Sequence, residues 1–301
     1  MSKADLIIAN SARTREQLHR LQDLPLRQKI NLSLRRIEQF YIELNGKVYV
    51  SFSGGKDSTV LLHMVRKIHP DILAVFCDTG VEFPGIKEFV DKTENVITLK
   101  PKMSFPAVLK KYGFPMPSKE NAQKIHEIQT TKSTKLRNKR LYGDSNKNGK
   151  LPEKWKYLLE EDIKISHKCC DILKKNPAKS FEKRTGLSPI LGMMASESRL
   201  RETNWLRTGC NAFTGRVSST PLSFWREEDV WKYIKENNIE IASPYSNGET
   251  RTGCMYCLFG CQFDDEDGAK RFDRLKENYP KHYKVAESLG IIEALNILKK
   301  S

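Results

Sequence analysis

Two groups of residues have the types and spacing to do chemistry. The first is the hexapeptide Ser53-Gly54-Gly55-Lys56-Asp57-Ser58. Glycines let a backbone turn sharply and approach a ligand closely. If a helix begins at the lysine, its first amides have no intrahelical partner and point outward. The helix dipole adds partial positive charge at the same place. Lys56 contributes a full charge, and the Ser53 and Ser58 hydroxyls can donate to oxygens. Such a segment is a cradle for phosphate. Its spacing is not Gly-x-x-x-x-Gly-Lys-Ser/Thr, the pattern of the common nucleoside-triphosphate loop.

The second group is a cysteine set. Of seven cysteines, Cys169 and Cys170 are adjacent, and Cys254-Met255-Tyr256-Cys257 makes a Cys-x-x-Cys, with 83 residues between the pairs. Four thiolates are what a [4Fe-4S] cluster or a Zn²⁺ site requires. Cys-x-x-Cys lets two sulfurs reach one metal from a tight turn, which Gly253 helps to form. Adjacent cysteines normally point apart, which is awkward for a compact tetrahedral zinc site; the pattern favours the cluster, with zinc as the alternative. Lys168, Lys174, Lys175 and Arg251 would offset the negative charge. Cys261 extends the set to Cys-x-x-Cys-x-x-x-Cys, so it could replace a ligand or carry sulfur. Cys210 could also carry sulfur or act as a nucleophile, a small semi-buried residue being the plainer reading. Cys77 ends an apolar strand and reads as packing. His167, beside the cysteine pair, is the one histidine near this set.

These residues need elements to hold them. Residues 4–22 and 26–45 read as helices, broken at Asp23-Leu24-Pro25, with Leu26, Ile30, Leu32, Leu34, Ile37, Phe40, Tyr41 and Leu44 as the apolar face of the second. A strand at 47–52 leads through the glycine loop into a helix at about 57–68. A second strand, Ile72 to Phe76, ends at Cys77-Asp78-Thr79-Gly80. A helix near 85–92 and a strand at 96–99 follow. Later come a strand at 189–192 and a helix at 227–237 with Val230, Trp231 and Ile234 on one face. This β-α-β-α-β order predicts an α/β fold, a parallel twisted sheet with helices on both faces. Ligands in such sheets sit beyond the carboxyl ends of the strands, where the glycine loop and Asp78-Thr79-Gly80 both fall. The expected division is a helical segment over 1–46, a nucleotide-binding domain over 47–260 and a helical segment over 261–301.

The chain has 52 Lys and Arg against 37 Asp and Glu, a formal charge of +15, and a pI of about 9.4. A balance of this size suits nucleic acid or another polyanion. Between Ser118 and Tyr157 lie eleven Lys/Arg and four Asp/Glu, with Tyr142, Trp155 and Tyr157 interleaved. This stretch reads as a basic helix and a polar loop inserted into the domain. Charge on phosphates and rings on bases would make it a nucleic-acid groove; a solvated insertion is the competing reading. No run of about 18 apolar residues is present, so no membrane span is expected. The start, Met1-Ser2-Lys3-Ala4-Asp5, lacks an apolar signal segment, which points to the cytoplasm. There, cysteines serve metals or catalysis rather than disulfides.

The hexapeptide resembles, almost letter for letter, the SGGKDS loop of ATP-pyrophosphatases, which cut ATP between the α and β phosphates and adenylate a substrate. More widely, the chain resembles the phosphoadenosine-phosphosulfate (PAPS) reductase family of ATP-pyrophosphatase-like proteins. Five segments carry the likeness, in the family's order over about residues 47–260: SFSGGKDSTVLLH, FCDTGVEFP, HKCCDILKKNP, LGMMASESRLR and PLSFWREEDVWKYIKENNIEIASPYSNGETRTGCMYC. The cysteine pattern resembles the iron–sulfur branch, which includes adenylyl-sulfate reductases and whose four cysteines bind one [4Fe-4S] cluster. The resemblance implies a nucleotide held by Ser53–Ser58, with Asp78, Thr79 and Gly80 on the adenosine side and Gly192 and Arg201 in the same site. It implies ATP with Mg²⁺, Asp57 in the metal shell, and Lys56, Asp57 and Ser58 as the catalytic residues.

Two departures separate the chain from the sulfate reductases. Those end in a tail bearing a catalytic cysteine, whereas no cysteine follows Cys261 here. The family's Gly-x-Arg reads Gly192-Met193-Met194, so a methionine stands where an anion-binding arginine is expected, while Glu197, Ser198 and Arg201 remain. The expected function is therefore adenylation of an acceptor for sulfur transfer, as in the iron–sulfur members that act in DNA phosphorothioation and tRNA thiolation. Nucleic acid is the expected acceptor and a cysteine desulfurase a sulfur donor. The alternatives are an adenylyl-sulfate or PAPS reductase served by a partner's thiol, and a non-catalytic nucleotide- and nucleic-acid-binding component of a defence or mobile-element complex.

Overall fold

The computed structural model describes residues 13–264 and 270–300. Of the helix expected over 4–22, residues 4–12 lie outside the described residues. Arg15–Gln22 is helical, and the Thr14 hydroxyl accepts the Gln17 amide at 3.2 Å to cap it. The chain forms two compact units. Of the described residues, one comprises 13–76, 84–99 and 179–251; the other comprises 77–83, 100–178, 252–264 and 270–300.

The first unit carries a six-stranded sheet in the order β3-β2-β1-β4-β6-β5, with β1 Val48–Ser51, β2 Ala74–Cys77, β3 Val96–Leu99, β4 Ser188–Leu191, β5 Asn211–Ala212 and β6 Ser218–Ser219. β1 runs parallel to β2 and β4, β4 parallel to β6, and β5 antiparallel to β6. This is the expected α/β architecture. Central parallel strands are covered on both faces and so read as continuous apolar runs; Val48, Tyr49 and Val50 are all buried. The chain steps outward from β1 through β2 to β3, then returns to place β4 on the other side of β1. With right-handed crossovers, that reversal puts the connecting helices on opposite faces and opens a crevice at the carboxyl ends of β1 and β4.

The helix Leu26–Glu43 buries Leu26, Lys29, Ser33, Ile37 and Phe40. Ile30, Leu32 and Leu34 lie beside this stripe rather than in it. Two of its buried members are polar because they have specific partners. Lys29 Nζ is 2.6 Å from Asp229 Oδ2. Ser33 Oγ donates to Pro221 O at 2.8 Å and accepts Trp225 Nε1–H at 2.9 Å.

The second unit is helical. Its basic stretch is two helices, Lys119–Thr130 and Thr134–Tyr142, where one was expected. Thr131 is extended and Ser133 caps the second helix, its Oγ accepting the Leu136 amide. Ala122, Ile125 and Ile128 bury one side of the first helix, and Leu151, Trp155 and Leu158 are also buried, so both ends of the segment are packed, while the helix Thr134–Tyr142 between them buries no residue. The aromatic residues divide accordingly. Trp155 is 3% exposed, and the Tyr157 hydroxyl donates toward the Ile297 and Leu298 carbonyls. Those two rings support the fold and do not stand ready for bases; Tyr142 is 69% exposed. Among the described residues no helix is long and apolar enough to cross a membrane.

Candidate functional site

In the sheet unit, β1 ends in the glycine loop and the helix Lys56–Arg66 begins on it, with Gly55 as N-cap. Gly54 sits at φ +70°, and a Cβ there would lie 2.9 Å from Ile86 Cγ2, so a side chain is barred by both conformation and space. Ser53 N–H donates to Ser58 Oγ at 3.1 Å, and Ser58 Oγ donates to Gly55 O at 2.9 Å. The Ser58 hydroxyl therefore shapes the loop. Gly192 closes the crevice from the end of β4. A Cβ on it would stand 3.0 Å from Asp57 O and 3.2 Å from Ser58 N, so the strand end reaches the helix start only as glycine.

Lys56 does not reach into solvent; its side chain is 7% exposed. Its Nζ lies 3.3 Å from Glu227 Oε1 and 3.4 Å from Asp57 Oδ1, and about equally far from the Trp231 and Tyr245 ring centres, 5.9 and 6.0 Å. Its backbone amide donates to the Tyr245 hydroxyl at 2.8 Å. Burial would lower the ammonium's pKa, but Asp57, Glu227 and Tyr245 together raise it, and the lysine stays charged. For Asp57, burial pushes the carboxyl up against the pull of Lys56, with Glu227 adding to the push and Arg201 to the pull. Asp57 Oδ1 is buried, and among the described residues its one close partner is the Lys56 ammonium at 3.4 Å, which Glu227 shares. A carboxylate oxygen in that condition is costly unless a cation completes it, and hard oxygen donors beside a phosphate cradle suit Mg²⁺. The residues fit that ion.

Arg201 completes the rim. Its guanidinium pairs with Glu197, and burial and the nearby Arg251 lower its pKa while Asp57 raises it. Glu197 also accepts the Met194 amide at 2.8 Å. Met194 itself is buried, 3% exposed, and provides no anion contact from its position after Gly192.

In the helical unit, Cys169 and Cys170 occupy a helical turn at Lys168–Cys170 that runs into a π-helical turn at Asp171–Lys175. Such turns are rare in helices and frequent at functional sites. The adjacent thiols do not act separately. The Cys170 thiol is held below the ordinary thiol range by its neighbour Cys169, with Lys119 and Lys174 assisting, while Cys170 and burial drive Cys169 up. Cys254 and Cys257 lie on a turn pinned by Met255 N–H to Val81 O at 2.9 Å and Cys257 N–H to Cys254 O at 3.1 Å. Both lie within electrostatic reach of the first pair. Burial raises the thiol of Cys254, against Lys174, and that of Cys257 to about 11. Lys174 is itself raised: burial acts downward, and Cys254, Glu82 and Cys170 outweigh it. Among the described residues no three His, Cys, Asp or Glu side chains are placed to hold one metal ion. Four thiols within electrostatic reach of one another, with the half-buried Lys174 among them, are the donor types and counter-charge that a thiolate-ligated group needs.

Residues 47–258, more than two thirds of the chain, match the family described as phosphoadenosine phosphosulfate reductase domain. The chain belongs to this family. The chain is 27% identical over 254 residues to an uncharacterized protein of Methanocaldococcus jannaschii, covering 82% of this chain but only 49% of that protein, so it spans about half of that relative's length. An adenosine 5'-phosphosulfate reductase of Lysinibacillus sphaericus is 26% identical over 219 residues, 72% of this chain and 76% of the relative. Among solved structures, a PAPS reductase from Candida auris in a phosphate complex aligns over 81% of this chain and 97% of its own, at 17% identity and a TM-score of 0.42. A U34-tRNA thiolase from Methanococcus maripaludis with its [4Fe-4S] cluster aligns over 90% and 80%, at 13% identity and a TM-score of 0.37.

In this member of the PAPS reductase family, Ser53 to Ser58 lie in the sheet unit with Gly192 and Arg201 near Asp57. Asp78, Thr79 and Gly80 belong to the helical unit. Thr79 donates to Glu82 Oε1 at 2.6 Å and lies 3.9 Å from Cys254 Sγ, while Asp78 Oδ1 accepts the Gly80 amide at 3.0 Å. Cys261 is fully buried, its Sγ donating toward Cys257 O at 3.6 Å; burial pushes its thiol up to about 12, against Arg271. A thiol so protonated and sealed is a poor sulfur carrier. Cys210 is in the sheet unit, half-buried, with Sγ 3.3 Å from Ser223 Oγ. Arg251, expected to offset the cysteine charge, is the neighbour of Arg201; Lys119 is the unanticipated cation beside Cys170. Sequence reasoning also assigned no role to Glu227 or Tyr245 and placed Trp231 only on one helix face with Val230 and Ile234. Trp231 is 36% exposed and packs edge-to-face with Tyr245 at 5.7 Å.

Proposed function

We propose that the chain is an ATP-pyrophosphatase-type enzyme that adenylates an acceptor for sulfur transfer, with a nucleic acid as the acceptor. The observation that carries this reading is the buried Asp57 oxygen beside Lys56 at the loop. Two carboxylates, Asp57 and Glu227, share the one Lys56 ammonium, so the site repels a bare anion, whereas a triphosphate arriving with Mg²⁺ brings a second cation. The phosphates take the place of the Glu227 carboxylate at Lys56 and of the Tyr245 hydroxyl at the helix start. Asp57 would hold Mg²⁺, which when bound neutralises phosphate oxygens. An acceptor oxygen attacks the α phosphorus and pyrophosphate leaves, and Lys56 with the loop amides stabilises the developing charge. Arg201 and Arg251 balance the remaining phosphate charge at the rim. A sulfur nucleophile from a donor such as a cysteine desulfurase then displaces AMP. Cys169, Cys170, Cys254 and Cys257 would hold a [4Fe-4S] cluster, whose chemistry when bound is to bind sulfur or pass electrons.

The second reading is reduction of adenylyl sulfate, favoured by the paired cysteines and by relatives bearing the reductase name. The two separate in one experiment. The iron-reconstituted chain is incubated anaerobically with ATP or with adenylyl sulfate and a thiol, with and without nucleic acid, and pyrophosphate and sulfite are measured. Pyrophosphate from ATP, increased by nucleic acid, supports adenylation. Sulfite from adenylyl sulfate with ATP left intact overturns it in favour of the reductase.

A further inference from the structure

The helix Thr134–Tyr142 has no buried residue. Between Thr131 and Lys150 the chain carries Lys132, Lys135, Arg137, Lys139, Arg140, Lys147 and Lys150 against the single acid Asp144. A helix with so little buried surface usually frays, yet this one is fixed at both ends. Ser133 caps its start. Arg140 joins Glu127 Oε2 at 2.5 Å and Gly149 O at 3.1 Å, and its own carbonyl accepts the Leu151 amide at 2.7 Å. Lys139 is drawn to Asp144 at 3.5 Å. The charges left over are Lys132, Lys135, Arg137, Lys147 and Lys150, which among the described residues have no ion-pair partner; the first three lie on the helix or just before it. They do not form one stripe: at about 100° per residue, Arg137 points roughly opposite Lys135.

We propose that this helix docks duplex DNA by entering its major groove, and so binds the acceptor of the reaction proposed above, on which the word acceptor rests. Cations on opposite sides of a rigid helix match the two phosphate rails that flank a groove. The B-form major groove admits an α-helix, while the deep, narrow major groove of A-form RNA does not. The exposed Asn138 is a type that reads base edges, and the exposed Tyr142 lies at the helix end.

The test is fluorescence anisotropy with the full chain and a labelled duplex DNA, a single strand of the same sequence and a duplex RNA, across a salt series without nucleotide. The variant Lys132→Ala/Lys135→Ala/Arg137→Ala is compared with Lys102→Ala/Lys110→Ala/Lys299→Ala, which removes equal charge from exposed positions elsewhere. Each phosphate contact contributes about 0.9 to the slope of log K on log salt, or about eightfold at about 0.1 M. The helix variant should weaken duplex DNA binding by roughly 10²-fold or more and lower the slope by about 2 to 3, while the control variant changes it little. Lys132→Arg/Lys135→Arg/Arg137→Lys should keep the binding. Equal losses in both triple-alanine variants, or duplex RNA bound as tightly as duplex DNA, would overturn the proposal. Pyrophosphate release without nucleic acid is read in parallel. If it is absent from wild type while DNA binding follows the helix, adenylation fails and the docking surface stands.

Discussion

Replacing Asp57 by Asn should make the ligand-free protein more stable and the Mg²⁺–ATP complex less so. The carboxylate oxygen Oδ1 is buried beside an ammonium that it shares with Glu227, and burial outweighs the pull of Lys56 on its ionised form. A buried group in that state costs about 1–3 kcal/mol. Loss of the attraction to Lys56 offsets part of the relief, which leaves a gain of about 1 kcal/mol. For a chain of this size that raises Tm by about 2–4 °C. Because the folded-state pKa of Asp57 lies above its usual value, the penalty is complete at neutral pH and fades as pH falls through the folded pKa. The advantage of the variant should therefore shrink in acid. With ligand the order reverses. At about 100 times its Kd, Mg²⁺–ATP stabilises the wild type by about 2.7 kcal/mol, and Asp57→Asn should lose most of that shift. Calorimetric scans with and without Mg²⁺–ATP read both effects. A ligand-free variant less stable than wild type, or one with an undiminished Mg²⁺–ATP shift, would refute the assignment of Asp57 as a carboxylate waiting for a cation.

Gly192→Ala should cost about 1–2 kcal/mol, since overpacking against backbone is not easily relieved, and should weaken ATP binding by moving Asp57 and Ser58; calorimetric titration checks it, and unchanged affinity would contradict the close approach. Cys257→Ala should remove bound iron and sulfide while leaving the Mg²⁺–ATP shift intact; full iron content by metal analysis would remove Cys257 from the ligand set. His63 is held below its ordinary pKa by burial and by Lys67, with Nδ1 3.0 Å from the Tyr233 hydroxyl. Its neutral form is favoured in the fold, so its contribution is present above the ordinary histidine range and is lost as pH falls below it. Denaturant unfolding between about pH 7 and about pH 5 should show that loss, and His63→Gln should flatten it.

The glycine loop was legible because its chemistry is local: strand, turn, lysine and helix start are contiguous. The cysteine pairs drew attention by their spacing, and the structure brings their four thiols within electrostatic reach of one another. What surrounds them was not legible. Glu227, Trp231 and Tyr245 reach Lys56 from more than 170 residues away, and no periodicity tells that Trp231 turns toward a lysine. The same limit produced the misreading of Trp155 and Tyr157. Composition placed rings beside charges, but only packing decides that they serve the fold while Tyr142 stays in solvent. Cys261 looked like an extension of the metal motif by spacing alone; its burial and its bond toward Cys257 O are tertiary facts.

The central claim is that ATP is cut between its α and β phosphates at Ser53–Ser58. Phosphorus NMR of the products formed from Mg²⁺–ATP by the anaerobic, iron-reconstituted chain with duplex DNA tests it most directly. The account predicts AMP and pyrophosphate in equal amounts, with neither formed by Lys56→Ala. ADP and inorganic phosphate, or the same AMP and pyrophosphate from Lys56→Ala, would contradict it.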